Sequence, residues 1–399
     1  MMHRMPFGTL LLLILTLAVF AQVYLFVRIR QAIRFSHQSD RFKSRSIRLV
    51  GAVICVLFAA SMYLTFKPIP WVDPPTGAQL FLLYPPGIWG LGSILSALLL
   101  LLMQLTGVVG KMILSLYRTL AGRAVSSPVN QARRRFLQAG VGGLAAAPLL
   151  LSGYGAVCSA ETYEVSELTL PFGSRLRVVQ LTDIHAGIYM NRKEMRRYVD
   201  RIIALKPDLF VLTGDFISNS MAFLPGCLEE MARVQTRYGT FATLGNHEHW
   251  YGEASTIRTV FRNYEIPLLI NSHQVIQTGL GSFAVAGIDD LGAGFPDLEA
   301  ALHGLDSAIP TLLLSHRPEI FPQAASRGIP LTLAGHYHGG QIKLSLPGGD
   351  ISMAHFRTPY PEGLYRLDAA CLYVSRGIGT TFIPVRLNAR PEVTLFHLT

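Results

Sequence analysis

The stretch "LTLAGHYHGG" (Leu331–Gly340) opens on a short uncharged run and then sets His336 and His338 two apart among glycines. Neutral imidazole is a common ligand for divalent transition metals, and glycine lets backbone approach a crowded centre. On its own, H-x-H describes two loop histidines. It becomes a site only if other ligating side chains converge on it.

The same arrangement recurs upstream. "RLRVVQLTDIH" (175–185) reads as a strand ending in Asp183 and His185, and "DLFVLTGD" (208–215) as one ending in Asp215. "GTFATLGNHE" (239–248) ends in Asn246 and His247, and "PTLLLSHRP" (310–318) carries His316 at its close. "SFAVAGIDD" (282–290) is a further strand. Between them "NRKEMRRYVDRIIALK" (191–206) is helical, with Met195, Val199, Ile202 and Ile203 on one side, and "PGCLEEMARVQTRY" (225–238) is also helical. Short apolar runs alternating with amphipathic ones predict an α/β fold. Sites in such folds form at the carboxyl ends of strands, and residues two apart on extended chain point the same way. Asp183 with His185, and His336 with His338, can therefore each reach one centre. Gly214, Gly245 and Gly335 stand before three of these candidates and permit sharp turns there.

Five further residues stay open. His249 is either near the centre or a loop residue. Asp289 and Asp290 in "GIDDLGAG" fit a turn whose carboxylates cap the following segment. Arg376 in "SRGIG" is either a fork for substrate phosphate or a structural ion pair. His355 carries no assignment.

The ordered set D-x-H, G-D, G-N-H-E, H and G-H-x-H stands here as "TDIH" (182–185), "TGD" (213–215), "GNHE" (245–248), "SH" (315–316) and "GHYH" (335–338). In this it resembles the calcineurin-like metallophosphoesterase superfamily, over roughly 176–398. The closing "YVSRGIGTTFIPVRLNARPEVTLFHL" (373–398) is similar to its bacterial branch of membrane-associated or exported phosphoesterases. The resemblance implies a two-sheet β-sandwich flanked by helices, with two divalent metal ions at the strand ends. It implies that Asp183, His185, Asp215 and His338 hold one ion, and that Asp215 bridges to a second held also by Asn246, His316 and His336. Such a ligand set suits Mn, Fe or Zn better than Ca or Mg. The implied reaction is in-line attack on a phosphoester by a metal-bridging hydroxide, with His247 protonating the leaving alkoxide.

The first 160 residues read differently. The chain has 399 residues and a mean hydropathy of +0.35. The excess apolar content is concentrated in four stretches, 7–27, 47–66, 87–110 and 136–157, each near the ~20 residues that cross a bilayer as a helix. None contains an acidic residue. An all-α transmembrane region of about four helices (1–160) then precedes a metallophosphoesterase domain (161–399). Arg28, Arg30, Arg34, Arg41, Lys43, Arg45 and Arg48 fill the first link, and Lys111, Arg118, Arg123 and Arg133–Arg135 the third; the second has only Lys67. Lysine and arginine favour the cytoplasmic side, so four crossings put the catalytic domain outside the cytoplasmic membrane, on its periplasmic or extracellular face. "ARRRFLQAG" (132–140) is either a twin-arginine-like export signal, with cleavage near Ala160, or the basic flank of the fourth helix.

Charge divides with the domains. Residues 1–160 carry 15 Lys and Arg against Asp40 and Asp73, and the remainder carries 20 basic and 23 acidic residues. The basic excess therefore reports membrane orientation, and a soluble part of net negative charge argues against a nucleic-acid partner. Cys227 and Cys371 are the two cysteines of the soluble part, and their spacing leaves pairing open. The expected substrate is a phosphoester, of a mono- or diester, with an envelope or lipid-linked one favoured by tethering. The alternative is a sensor or binding module that holds a phosphate ligand without turnover. The apolar stretches lack the interior charges of a transport path, and the complete ligand set with His247 argues for turnover.

Overall fold

In a computed structural model the N-terminal part is helical: α1 (Phe7–Arg34), α2 (Asp40–Phe66) and α3 (Gly77–Ala121). The residues described are 7–36, 38–66, 77–121, 150, 153–154, 162–279, 281–381 and 384–399. All three helices are long and apolar enough to cross a membrane. They run beyond the stretches 7–27, 47–66 and 87–110, because Arg, Lys and Gln at the apolar ends are good helix formers and continue the backbone bonding. Gln22 of α1 donates to Ser93 Oγ (2.9 Å) and accepts from Trp89 Nε1 (2.9 Å) on α3. In apolar surroundings such bonds act as glue between helices. The expected fourth helix (136–157), the arginine run at 133–135 and Ala160 lie outside the described residues, apart from 150 and 153–154.

The second compact unit, described from 162 to 399, is a two-sheet sandwich. Its strands in chain order are β1 (Glu164–Leu170), β2 (Leu176–Leu181), β3 (Leu209–Thr213), β4 (Thr240–Thr243), β5 (Ser272–Thr278), β6 (Gly281–Gly287) and β7 (Thr311–Leu314). There follow β8 (Leu331–Ala334), β9 (Lys343–Leu346), β10 (Gly349–Ser352), β11 (Gly363–Leu367), β12 (Ala370–Val374) and β13 (Glu392–Leu398). One sheet has the order β1-β13-β2-β3-β4 and the other β11-β12-β8-β7-β6-β5; β9 and β10 form a separate hairpin. Both sheets are mixed. The strands that end at the candidate residues pair in parallel, β2 with β3 and β3 with β4 in one sheet, β6 with β7 and β7 with β8 in the other. Parallel pairing brings their carboxyl ends to one edge.

Period-two alternation explains the layers. Leu176, Val178, Leu209 and Val211 face the other sheet and pack with Phe283, Val285, Leu312, Leu314, Leu331 and Leu333. Val179, Leu181, Phe210 and Leu212 face outward and are covered by α4 (Arg192–Ala204) and α5 (Leu224–Met231). Strands buried on both faces read as unbroken apolar runs. Asn191 caps α4, its side chain accepting from Glu194 N at 3.2 Å. The helix buries Met195, Tyr198, Val199 and Ile202, the i, i+3, i+4, i+7 set of one face, while Ile203 is 42% exposed. Tyr198 joins that face, and Ile203, expected on it, lies at its edge, about 80° round the helix from Met195.

Candidate metal centre

Five residues just past strand ends have left-handed backbones although none is glycine: Asp183 (φ 50°), His185 (φ 49°), Asp215 (φ 53°), His336 (φ 75°) and His338 (φ 52°). Side chains are rarely found there, and such strain clusters at functional sites. The turns throw these side chains back over the strand ends. Gly245 and Gly335 leave the room. A Cβ at Gly245 would lie 2.2 Å from Asp215 Oδ1, and one at Gly335 would lie 2.2 Å from Asp183 Oδ2.

Asp215 is the hub. Its Oδ2 lies 3.2 Å from His316 Nε2, 3.6 Å from His185 Nε2 and 3.9 Å from His247 Nε2. Its Oδ1 accepts from the backbone N–H of His247 at 3.0 Å. To one side, His185 Nε2 and His338 Nε2 face each other at 3.0 Å, with Asp183 Oδ1 3.4 Å from His338 Nε2. To the other, His316 Nε2 and His336 Nδ1 are 3.1 Å apart. Three groups result, Asp183–His185–His338, His185–Asp215–His247 and Asp215–His316–His336, the offered atoms in each lying within 4.8 Å of one another.

Donor spacing tests whether a cation fits. An ion holding two ligands at about 2.1 Å with tetrahedral angles sets them about 3.4 Å apart. The closest edges here, 3.0–3.4 Å, match that spacing. Burial pushes the His185 imidazole down to about 3, and burial likewise holds His336 and His338 well below the usual range. All three are neutral, the ligating form. Burial also lifts Asp183 to about 6. Burial opposes charge on His316 and Asp215 too, but their mutual attraction wins: His316 rises to about 10 and Asp215 falls well below the usual carboxylate range.

Asn246 opens the short helix α6 (Asn246–Tyr251), and its Oδ1 accepts from Arg317 Nη2 at 3.1 Å. Next to it, His247 Nδ1 lies 2.5 Å from the carbonyl of Ser218 and so carries the hydrogen of that bond. Its ring packs edge-on against His185, with centroids 4.5 Å apart, and beside Trp250 at 4.9 Å.

Several further residues contribute to the site. Glu248, fully buried, accepts from the backbone N–H groups of Asp215 (3.0 Å), Phe216 (2.8 Å), Ile217 (3.2 Å) and Gly245 (2.9 Å). It pins the loop that carries Asp215. Its place as the third residue of α6, where a carboxylate caps the helix start, is the signal that finds it. Arg317 joins Asn246 to the buried Asp290, with Nε 2.9 Å from Asp290 Oδ2. Thr381 Oγ1 stands 2.8 Å from His338 Nε2, and the buried Arg386 places Nη2 3.0 Å from His338 Nδ1. No spacing rule in the sequence marks these last two.

The open residues take structural parts. Arg376 pairs with Glu392 (3.1 Å) and Glu164 (2.9 Å). His249 pairs with Asp289 at 2.6 Å. Asp290 Oδ1 accepts from Gly292 N and Ala293 N, as a turn cap does. His355 Nδ1 accepts from Ser352 N at 3.2 Å in the short turn after β10. Cys227 and Cys371 are both buried and free, in different core clusters.

Comparison with known proteins gives the family. Residues 176–340 match the family model described as calcineurin-like phosphoesterase. The metallophosphoesterase YkuE of Bacillus subtilis is 31% identical over 278 residues, covering 67% of this chain and 97% of that protein. Phosphodiesterase YaeI of Escherichia coli is 29% identical over 275 residues, covering 67% of this chain and 98% of that one. A Danio rerio protein named transmembrane protein with metallophosphoesterase domain is 31% identical over 265 residues; they cover 61% of this chain and 59% of that longer protein. A mixed two-sheet sandwich, converging imidazoles and carboxylates at its strand ends and a relative matched over nearly its whole length lead to one conclusion: the chain belongs to the calcineurin-like metallophosphoesterase family, the metal-dependent phosphoester hydrolases.

Proposed function

We propose that the chain is a membrane-anchored phosphohydrolase whose centre takes two divalent ions, Mn, Fe or Zn. The observation that carries this reading is Asp215 Oδ2, one carboxylate oxygen standing between His316 Nε2 (3.2 Å) and His185 Nε2 (3.6 Å). Asp183, His185, Asp215 and His338 would hold one ion; Asp215, Asn246, His316 and His336 the other. Such a pair, when bound, supplies an acidified water for in-line attack and positive charge against the phosphoryl oxygens.

The chain's own residues do the rest. Asp183 is kept in place by His336 N at 3.0 Å and Thr182 Oγ1 at 2.8 Å, so its carboxylate is preorganised. Arg317 keeps the Asn246 amide oxygen turned to one side. With Nδ1–H given to the Ser218 carbonyl, His247 can take its second proton only at Nε2, and from there it protonates the leaving alkoxide.

Residues 1–160 form the anchor, with spans at 7–27, 47–66, 87–110 and 136–157, and 161–399 the catalytic domain outside the cytoplasmic membrane. The apolar helices and the name of the Danio rerio relative support the anchor. A phosphodiester is the favoured substrate class, after the name of the Escherichia coli relative, and tethering favours a lipid-linked one. The test uses the full chain in detergent, stripped of metal and reloaded with Mn, Fe or Zn, on a nitrophenyl monoester, a bis-nitrophenyl diester and a phospholipid. Metal-dependent turnover, fastest on a diester, is the expected result. Tight phosphate binding with no turnover of any of the three would leave a binding module instead.

A further inference from the structure

The hairpin β9–β10 has its polarity inside out. Register places Leu344 opposite Ile351 and Lys343 opposite Ser352. Successive strand residues point to opposite faces, so Leu344, Leu346 and Ile351 share one face and Lys343 and Ser352 the other. At the hairpin base the polar face is covered: Lys343 and Ser352 are each 4% exposed, and Lys343 Nζ meets Glu362 Oε1 at 2.6 Å, while Ser345 and Asp350 of the same face are exposed towards the tip. The apolar face is open, with Leu344 60%, Leu346 52% and Ile351 43% exposed, and Met353 (71%) and Phe356 (77%) extend it into the next turn. A hairpin solvated on one side normally turns its polar side chains to water. Clustered exposed apolar groups mark a surface that meets something apolar.

The face is fixed in direction. Lys343 N donates to Leu387 O at 2.9 Å and Asn388 Nδ2 to Lys343 O at 3.2 Å, which fastens the hairpin base to the segment running into β13. The hairpin also follows His336 and His338 directly, so it stands beside the metal centre rather than at the far end of the strands. What covers it is indicated by the chain itself, whose first part carries three helices of membrane length. All five exposed residues are uncharged and large, a face suited to hydrocarbon rather than to a charged partner.

We propose that the outward face of the β9–β10 hairpin, with Met353 and Phe356, inserts into the surface of a lipid bilayer and so brings the metal centre to the membrane boundary. The proposal rests on the membrane-anchored reading. The five residues themselves carry no charge, although exposed Asp350 and Arg357 flank them, so neutral lipid suffices and salt has little effect.

The test places the full chain in phosphatidylcholine nanodiscs with brominated acyl chains and reads quenching of a thiol-attached fluorophore. In a Cys158→Ser background Cys55, exposed on α2, reports the anchor; Cys227 and Cys371 are buried and stay unlabelled. In a Cys55→Ser, Cys158→Ser background, Leu346→Cys and Met353→Cys report the hairpin. Ser307→Cys, exposed before β7 at the opposite end of the strands, reports bulk water. The expected result is a loss of emission at 346 and 353 comparable with that at Cys55, none at 307, and no change when salt is raised. Quenching at Cys55 with 346 and 353 behaving like 307 overturns the docking and leaves the anchor standing. A label at 346 shielded from aqueous iodide yet unquenched by brominated lipid means that a protein, such as a second copy, covers the face, and overturns it too. No quenching at Cys55 removes the anchor, and the proposal falls with it.

Discussion

Replacing Gly335 by alanine tests whether the glycine before His336 is there to let Asp183 in. A Cβ built on Gly335 lies 2.2 Å from Asp183 Oδ2, 2.4 Å from Thr182 Oγ1 and 2.8 Å from Thr182 Cγ2. Ordinary contact begins near 3.4 Å, so the carboxylate must retreat by about 1.2 Å. It has no slack for that. Both its oxygens accept from His336 N, at 3.1 and 3.0 Å, and its own N–H is tied to Gly214 O at 3.0 Å. The movement therefore breaks the edge to His338 Nε2, now 3.4 Å. A misplacement of about 1 Å at a reacting centre costs on the order of 10²-fold in rate, and overpacking a tight site costs about 1–3 kcal/mol of stability. Gly335→Ala should still fold, with Tm lowered by several degrees, and lose about 10²-fold in kcat/KM together with part of its metal. Gly348→Ala, whose added Cβ meets nothing within 4 Å, is the control and should match the parent. Turnover on a nitrophenyl diester, metal content by mass spectrometry and thermal melts decide the matter. A Gly335→Ala protein with full metal and turnover within about twofold of the parent would falsify the argument that close approach to Asp183 sets the site.

Asp215→Asn keeps the size of the side chain and removes its charge; it should lose metal from one or both positions and activity with it, and full metal occupancy by elemental analysis would reject Asp215 as the shared ligand. His336→Ala and His338→Ala should lose metal affinity, with turnover partly recovered in excess metal. His247→Ala should keep its metal and lose the ~10²–10⁴-fold typical of a positioned proton donor, less on nitrophenyl esters, whose leaving group needs little protonation. Equal losses on activated and unactivated esters would exclude that role for His247. Glu392 is almost fully buried, and although burial opposes its charge, Arg376 holds its carboxyl below the ordinary 4.5. Its contribution to stability is present above pH 4.5 and fades as pH falls through the lowered value. Glu392→Gln should therefore be less stable than the parent at pH 7, by about 3–5 kcal/mol, with the gap closing as pH falls below 4.5; a constant gap would show that packing, not charge, is lost.

The strands that carry the site are readable in the sequence because they are buried on both faces. Leu209–Thr213 has no exposed residue, so its apolar run is unbroken and its end is sharp. β1 and β5 carry no such signal. In β1 only Leu170 is buried and in β5 only Ile276, so neither has the run or the clean alternation that marks a strand, and tertiary pairing alone fixes them. β1 pairs with β13 across more than two hundred residues, from Glu164 with Glu392 to Leu170 with Leu398. No local signal reports such a contact. The same holds for Thr381 and Arg386, which reach His338 from a segment that local pattern gives no reason to place there.

What local pattern does report is where side chains had to be kept at a cost. Left-handed backbone favours glycine, and the loops here use glycine freely; Gly214 lies at φ 87°. Yet Asp183, His185, Asp215, His336 and His338 occupy that region with full side chains, each at a cost of about 1 kcal/mol or more. Glycine at any of the five would relieve the strain and remove a donor atom from the centre. Lys206, Glu265, Asn271, Gln341, Asp368 and Asn388 also lie in that region, so the backbone alone marks no site; at these five it coincides with converging donors. The strain is held by the surroundings: a fully buried Glu248 bonded to the N–H groups of three consecutive residues beginning at Asp215, and two sheets whose strands leave the turns no other course. What glycine could not supply at these five positions is the donors that stand 3.0–3.4 Å from one another.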